Sequence, residues 1–146
     1  DVILEAERRD IAIELEARRP LPRALADPDR LRQVFVNLLD NAVKYCGPGD
    51  RVTMTLSPHR ESLCVAVCDN GPGIAAEHLP HLTRRFYRAQ SDGYGSGLGL
   101  AIVHEILTRH HTVLELTSPP VEGQHGLKAA FVLRVADGAA MEVGHA

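Results

Sequence analysis

The chain has 146 residues, enough for one compact domain with a sizeable core, and its apolar content of 45% is ordinary for a globular protein. A formal net charge of -3 excludes recognition of nucleic acid by bulk electrostatics but leaves room for a small phosphate ligand held at a local site. No apolar run approaches the length of a membrane span, and no signal peptide opens the chain. Cys46, Cys64 and Cys68 form no C-x-x-C pair, so free thiols are expected rather than a disulfide framework or a structural zinc site.

Residues 1–9 are charged and helix-compatible, and their abrupt start reads as the cut end of a longer protein. "IAIEL" (11–15) alternates apolar and polar residues, as a short strand does. A proline-rich loop follows. Asp27 or Asp29 can then cap a helix, with Pro28 near its first turn, that runs from about Arg30 to Tyr45 and stops at "CGPGD". "RVTMTL" (51–56) and "LCVAVCD" (63–69) read as two strands joined by a hairpin turn at "SPHRES". The second is nearly all apolar, which predicts burial on both faces. Residues 75–96 carry no strong period and are long for a loop, the mark of a lid. "GSGLGLAIVHEILTRHH" begins as a glycine loop and becomes a helix. "TVLELTS" (112–118) and "GLKAAFVLRV" (126–135) are two more strands, and the small, polar residues from Ala136 onward read as a frayed tail. This order predicts an α/β two-layer sandwich with a mixed, mostly antiparallel sheet and helices packed on one face.

The helix at 30–45 carries an apolar stripe of Leu31, Val34, Phe35, Leu38, Leu39, Ala42 and Val43. Asn37, Asn41 and Lys44 share another flank, four and three residues apart. A solvated face is the ordinary reading of such a flank. Two features favour a ligand. Asparagine costs helix stability where Gln or Lys would serve, and Lys44 is one of two lysines among sixteen basic Lys and Arg residues. Amide oxygens suit a hard cation such as Mg²⁺, and an ammonium suits phosphate.

Two glycine-rich segments add to this. "VCDNGPGI" (67–74) puts Asp69 at the end of an apolar strand, followed by Gly71 and Gly73. Alone it is an excellent turn. As a site, the carboxylate accepts a hydrogen bond from an exocyclic amine, and an acceptor left unpaired there costs about 1–3 kcal/mol, enough to discriminate bases. "GYGSGLGLAIV" (93–103) sets glycines directly before a helix, where free backbone N–H groups and the helix dipole favour an anion. It is neither a P-loop nor a dinucleotide fingerprint, because no G-K-[ST] follows and Leu100 stands where a third spaced glycine belongs.

In their order and spacing these segments resemble the catalytic ATP-binding domain of bacterial sensor histidine kinases, a Bergerat-fold superfamily that includes DNA gyrase and the heat-shock chaperone ATPase. "NLLDNAVKY" resembles the N box, "DNGPG" the first glycine box, "RRFYR" the F box and "GSGLGLAIV" the second glycine box. The likeness runs from about Ile11 to Val135. It implies a catalytic ATP-binding domain at 11–136, a connection from a dimerisation and phosphoacceptor domain at 1–10, and a flexible tail at 137–146. It implies ATP and Mg²⁺ as cofactors. Asn41 is then the Mg²⁺ ligand, assisted by Asn37. Lys44 contacts phosphate, and Tyr45 lines the adenine or ribose side. Asp69 binds the adenine amine, with Gly71, Gly73 and Ile74 shaping the pocket. Phe86 anchors the lid, while Arg88, or Arg85, reaches the terminal phosphate. Gly95, Gly97 and Gly99 wrap the phosphates, with Ser96, Leu98 and Leu100 between them. Asn41, Lys44 and Arg88 are the candidate catalytic groups.

Gyrase-type relatives carry a Glu one turn before the key Asn to activate water. Asn37 stands there in this chain and cannot act as a general base, so phosphoryl transfer is expected rather than rapid hydrolysis. The family's phosphoacceptor segment is missing, so the chain is not expected to phosphorylate itself. The implied partners are the dimerisation domain, which supplies the histidine, and a response regulator. No nucleic-acid partner is expected, and the isolated domain is expected to be a monomer. The implied location is the cytoplasm, with an inner-membrane parent. Two alternatives are a regulatory nucleotide-binding module without transfer activity and a serine kinase of the anti-sigma type.

Overall fold

The computed structural model describes residues 1–88 and 97–136. The expected site residues Gly95 and Ser96, and the expected tail at 137–146, lie outside the described residues. The elements in chain order are α1 (Val2–Arg8), β1 (Ala12–Ala17), α2 (Pro28–Tyr45), β2 (Arg51–His59), β3 (Ser62–Asp69), α3 (Gly99–Arg109), β4 (Glu115–Thr117) and β5 (Lys128–Arg134), with one 3₁₀ turn at Leu79–His81. The sheet runs β1-β2-β3-β5-β4. Only the β1–β2 pair is parallel, and the other three are antiparallel. This is the mixed, mostly antiparallel sheet expected of the sequence.

Local chemistry accounts for α2. The Asp27 carboxylate accepts from the N–H groups of Asp29 and Arg30 at 3.0 and 3.3 Å. Pro28 opens the helix, where its missing N–H costs nothing. Val34, Leu38, Ala42 and Val43 of the apolar stripe are buried, and Leu31, Phe35 and Leu39 pack against the core from its margin. They meet Val52 and Met54 of β2, Val65 and Val67 of β3, and Phe131 and Leu133 of β5. Each buried side chain of this size stabilises the fold by about 1.5–3 kcal/mol. Phe35 stacks on Phe131 with centroids 6.4 Å apart.

The far end of α2 is held from outside the helix. Arg9, just past α1, donates from Nη1 to the Val43 carbonyl at 2.7 Å and from Nη2 to the Cys46 carbonyl at 2.8 Å. A guanidinium there satisfies carbonyls the helix leaves open and complements the negative end of its dipole. The first ten residues therefore brace the helix end that carries Lys44 and Tyr45.

Three expectations are corrected. β3 is not buried on both faces: Leu63, Val65, Val67 and Asp69 are buried, while Ser62, Cys64, Ala66 and Cys68 are half-buried. The second set lies on the face away from the core, shielded by cross-strand neighbours such as Thr53, Thr55, Ala130 and Val132. The hairpin turn is shorter than expected, because both strands run into it and leave Arg60 and Glu61 as the connection. Arg60 there adopts a φ of 57°. Pro58 is accommodated in β2 because β1 stops opposite Leu56, so the strand is a sheet edge beyond that point. Lastly, the strand expected at 112–118 is regular only over Glu115–Thr117.

Candidate nucleotide-binding site

A cleft of about 280 Å³ opens between α2 and the N-terminal end of α3. Asn37, Asn41 and Lys44, one turn after another, line one wall with Tyr45, while Gly97, Leu98, Gly99 and Leu100 line the other. Eight of the residues singled out in the sequence thus converge. The walls meet closely: a side-chain carbon at Gly99 would lie 3.6 Å from Asn37 Oδ1. Among the described residues no side chain caps the N-terminus of α3, and first-turn N–H groups at such an end suit an anion.

Positive charge gathers at this end. Burial, and then the nearby Arg88, push the Lys44 ammonium pKa down, and Asp40 one turn earlier only partly opposes this. Its Nζ lies 5.1 Å from the Tyr45 ring centroid. Burial, with Arg88 opposing, raises the Tyr45 phenol. Two guanidinium nitrogens of Arg88, Nε and Nη2, are buried with no hydrogen-bond partner among the described residues. A buried, charged donor without an acceptor is costly, and Arg88 itself lies outside the cleft lining.

Arg85 goes elsewhere. Its Nη2 lies 3.8 Å from Glu105 Oε2 on α3, and both side chains are exposed. Phe86 is 69% exposed, with a φ of 65°. Its backbone ties the segment before the cleft to the glycine wall, its N–H donating to the Gly97 carbonyl at 3.0 Å. A side-chain carbon on Gly97, whose φ is 78°, would lie 2.8 Å from the Phe86 carbonyl carbon. Glycine is required there for both reasons.

Asp69, Gly71, Gly73 and Ile74 lie outside the cleft lining, and of these Gly71 adjoins Tyr45. A side-chain carbon at Gly71 would come within 2.7 Å of the Tyr45 carbonyl. Asp69 is 5% exposed and is the buried charged residue of the core. Both of its carboxylate hydrogen bonds fall on Oδ1, from the N–H groups of Gly71 at 3.0 Å and Leu127 at 3.3 Å. Among the described residues no donor reaches Oδ2, the oxygen that the nucleotide reading assigns to a ligand. Burial dominates the acid's titration and raises it to about 6, against the two N–H donors, which lower it.

The sign of that shift sets two pH responses. Between the unfolded value of about 4 and the folded value of about 6 the folded domain binds the extra proton, so stability rises as pH falls through this window. Recognition of an amine runs the other way, because only the ionised carboxylate is a full acceptor. ATP affinity in the wild type is expected to fall about tenfold per pH unit below about 6, relative to Asp69→Asn measured in parallel. Calorimetric titrations from pH 5 to 8 check this, and equal slopes in the two proteins contradict it.

The sequence did not single out several residues of this region. Asp40, Leu82, Tyr87 and Ile102 also line the cleft. The Tyr87 hydroxyl is hydrogen-bonded to His78 Nδ1, and its ring packs 5.5 Å from His81. Gly126 was read as part of a strand, yet it stands directly behind Asp69. A glycine opening a strand is itself a signal of close backbone approach.

The model of the "Histidine kinase-, DNA gyrase B-, and HSP90-like ATPase" family matches residues 26–137. The sensor histidine kinase ZraS of Escherichia coli (strain K12) is 34% identical over 129 residues, which span 88% of this chain and 26% of that protein. Among solved structures, the mycobacterial sensor histidine kinase MprB superposes with a TM-score of 0.76 at 30% identity, covering 92% of this chain and 90% of the other. Full-length ShkA in complex with AMPPNP gives a TM-score of 0.76 at 32% identity, with 91% of this chain covering 28% of that one. The chain thus spans about a quarter of the length of the curated relative and of the full-length structure. It belongs to the histidine kinase-, DNA gyrase B- and HSP90-like ATPase family, as an ATP-binding domain of the sensor histidine kinase type.

Proposed function

We propose that this domain binds Mg-ATP in the α2–α3 cleft and donates the γ-phosphoryl group to a histidine on a separate dimerisation domain. The observation that carries this reading is the cleft lining, in which the Asn37, Asn41 and Lys44 flank of α2 faces the glycine-rich start of α3, with two buried Arg88 guanidinium nitrogens, unpartnered among the described residues, near Lys44. Two cations and a helix N-terminus suit a polyphosphate. ShkA, the relative described with AMPPNP, has the same fold.

The carboxamide donors of the cleft fit Mg²⁺. Among the described residues no cluster of His, Cys, Asp and Glu can hold a metal alone. Asn41 and Asn37 line the cleft and would hold the ion through their amide oxygens. When bound, Mg²⁺ neutralises charge on the phosphates. The chain's own groups orient and stabilise: Lys44 and Arg88 face the charge that spreads over the transferring group, and Asp69 Oδ2 accepts from the adenine amine. Asn37 cannot deprotonate water, which favours transfer over hydrolysis.

The reading includes partners beyond this chain. The relatives are sensor kinases several times its length, which supports a dimerisation domain in the same parent and a response regulator downstream. Among the described residues no helix is long and apolar enough to cross a membrane. A cytoplasmic location, with an inner-membrane parent, completes the proposal. Incubation with γ-labelled ATP, Mg²⁺ and a purified dimerisation domain is expected to yield acid-labile phosphohistidine on that domain. Acid-stable label points to a serine kinase, and no label at all to a regulatory module; either result overturns the reading.

A further inference from the structure

We propose that Ser118 is a positioning residue for nucleobase selection, clamping together the two backbone segments that hold the Asp69 carboxylate. This rests on the nucleotide reading of the cleft and adds a residue that contacts no ligand.

The geometry is local and closed. Ser118 follows β4 and is part-buried. Its hydroxyl donates to the Gly126 carbonyl at 2.6 Å and accepts from the Ile74 N–H at 3.0 Å. Ile74 ends the turn that begins at Asp69, and Gly126 precedes Leu127, whose N–H holds Asp69 Oδ1. One hydroxyl therefore fastens the exit of the turn to the strand entry behind it. The joint has no slack. A side-chain carbon at Gly73 would lie 2.8 Å from Ser118 Oγ, and one at Gly126 would lie 1.8 Å from the Asp69 carbonyl oxygen.

Selectivity follows from where the clamp points Oδ2. Adenine presents an amine donor to a fixed acceptor, whereas guanine presents a carbonyl oxygen in the corresponding place. A rigid carboxylate accepts the first and repels the second. With alanine at 118, the Ile74 N–H loses its acceptor and the Gly126 carbonyl its donor. The turn is then free to shift, and the difference between bases shrinks. The phosphate end, built on α2 and the start of α3, is untouched.

The test compares wild type, Ser118→Ala and Ser118→Thr by calorimetry with Mg-ATP, Mg-GTP and Mg-tripolyphosphate, after thermal unfolding confirms that each is folded. Ser118→Ala is expected to bind ATP about five- to tenfold more weakly, the worth of one or two hydrogen bonds, with the ATP-to-GTP ratio falling by a similar factor. Tripolyphosphate binding stays within about twofold of wild type, and Ser118→Thr, which keeps the hydroxyl, recovers selectivity. If Ser118→Ala does not fold, Ser118→Cys takes its place, because its thiol is close in size but a weak donor and acceptor. An unchanged ATP-to-GTP ratio, or an equal loss of tripolyphosphate affinity, overturns the clamp. A wild type that binds tripolyphosphate but shows no preference for ATP overturns the nucleotide reading itself, and the clamp with it.

Discussion

Asn41→Ala is expected to weaken Mg-dependent ATP binding by about ten- to a hundredfold while leaving the domain as stable as before, or more so. The two halves of this expectation have different origins. Asn41 sits on the flank of α2 between Asn37 and Lys44 and lines the cleft, so its amide oxygen would be available to the Mg²⁺ proposed for this site. Losing a direct metal contact is expected to cost at least as much as losing a supporting one, which typically costs about 10–100-fold. The apolar stripe of α2 does not include Asn41; the buried positions are Val34, Leu38, Ala42, Val43 and Tyr45. Alanine is the better helix former by about 0.5 kcal/mol. The unfolding midpoint should therefore hold or rise while affinity collapses. Calorimetric titration with and without Mg²⁺, run beside thermal unfolding, reads both. Unchanged affinity removes the metal-binding flank. A parallel fall in stability instead means that the residue is structural.

Gly126→Ala carries the largest expected effect on folding. At a φ of 117° the new side-chain carbon would lie 1.8 Å from the Asp69 carbonyl oxygen, 2.7 Å from its carbonyl carbon and 3.1 Å from Asn70 Cα. None of these atoms is the end of a flexible side chain, so β5 and the Asp69 turn must separate. That breaks the Asp69 N–H to Leu127 carbonyl bond of 3.0 Å and the Leu127 N–H to Oδ1 bond of 3.3 Å. Backbone strain and overpacking together are expected to cost at least about 3 kcal/mol. Gly123→Ala is the matched control. It has a φ of 86° with nothing within 4 Å of the added carbon, so it bears only the backbone cost of about 1 kcal/mol. Urea denaturation of both variants checks the contrast, and equal losses contradict the close-contact explanation.

These two positions differ in how readable they are from sequence. The role proposed for Asn41 was visible as soon as helical periodicity placed it beside Asn37 and Lys44, because the side chains involved are one turn apart. Gly126 acquires its role from a residue 57 positions earlier. Nothing near it in the chain records that distance. The arginines of the lid divide the same way. Arg88 was the preferred candidate and Arg85 its alternative, three residues apart in one segment. Tertiary structure separates them, with Arg85 beside Glu105 on α3 and Arg88 buried near Lys44.

By itself the sequence determined the features that depend on neighbours within a turn or two. These include the Asp27 cap and Pro28 start of α2, its apolar stripe and polar flank, the β2–β3 hairpin, and the glycine entry to α3. Backbone sterics, capping and periodicity act over that range and need no partner. Only the tertiary structure decided which face of β3 is covered. Small residues such as Cys64, Ala66 and Cys68 read the same whether a helix layer or a neighbouring strand shields them. It also decided that β1 lies parallel to β2, that β5 enters between β3 and β4, and that Ser118, Gly126 and Leu127 stand behind Asp69. The physical reason is common to these cases. Pairing between distant segments is chosen by burial and hydrogen bonding of the whole sheet, and no local pattern carries that information.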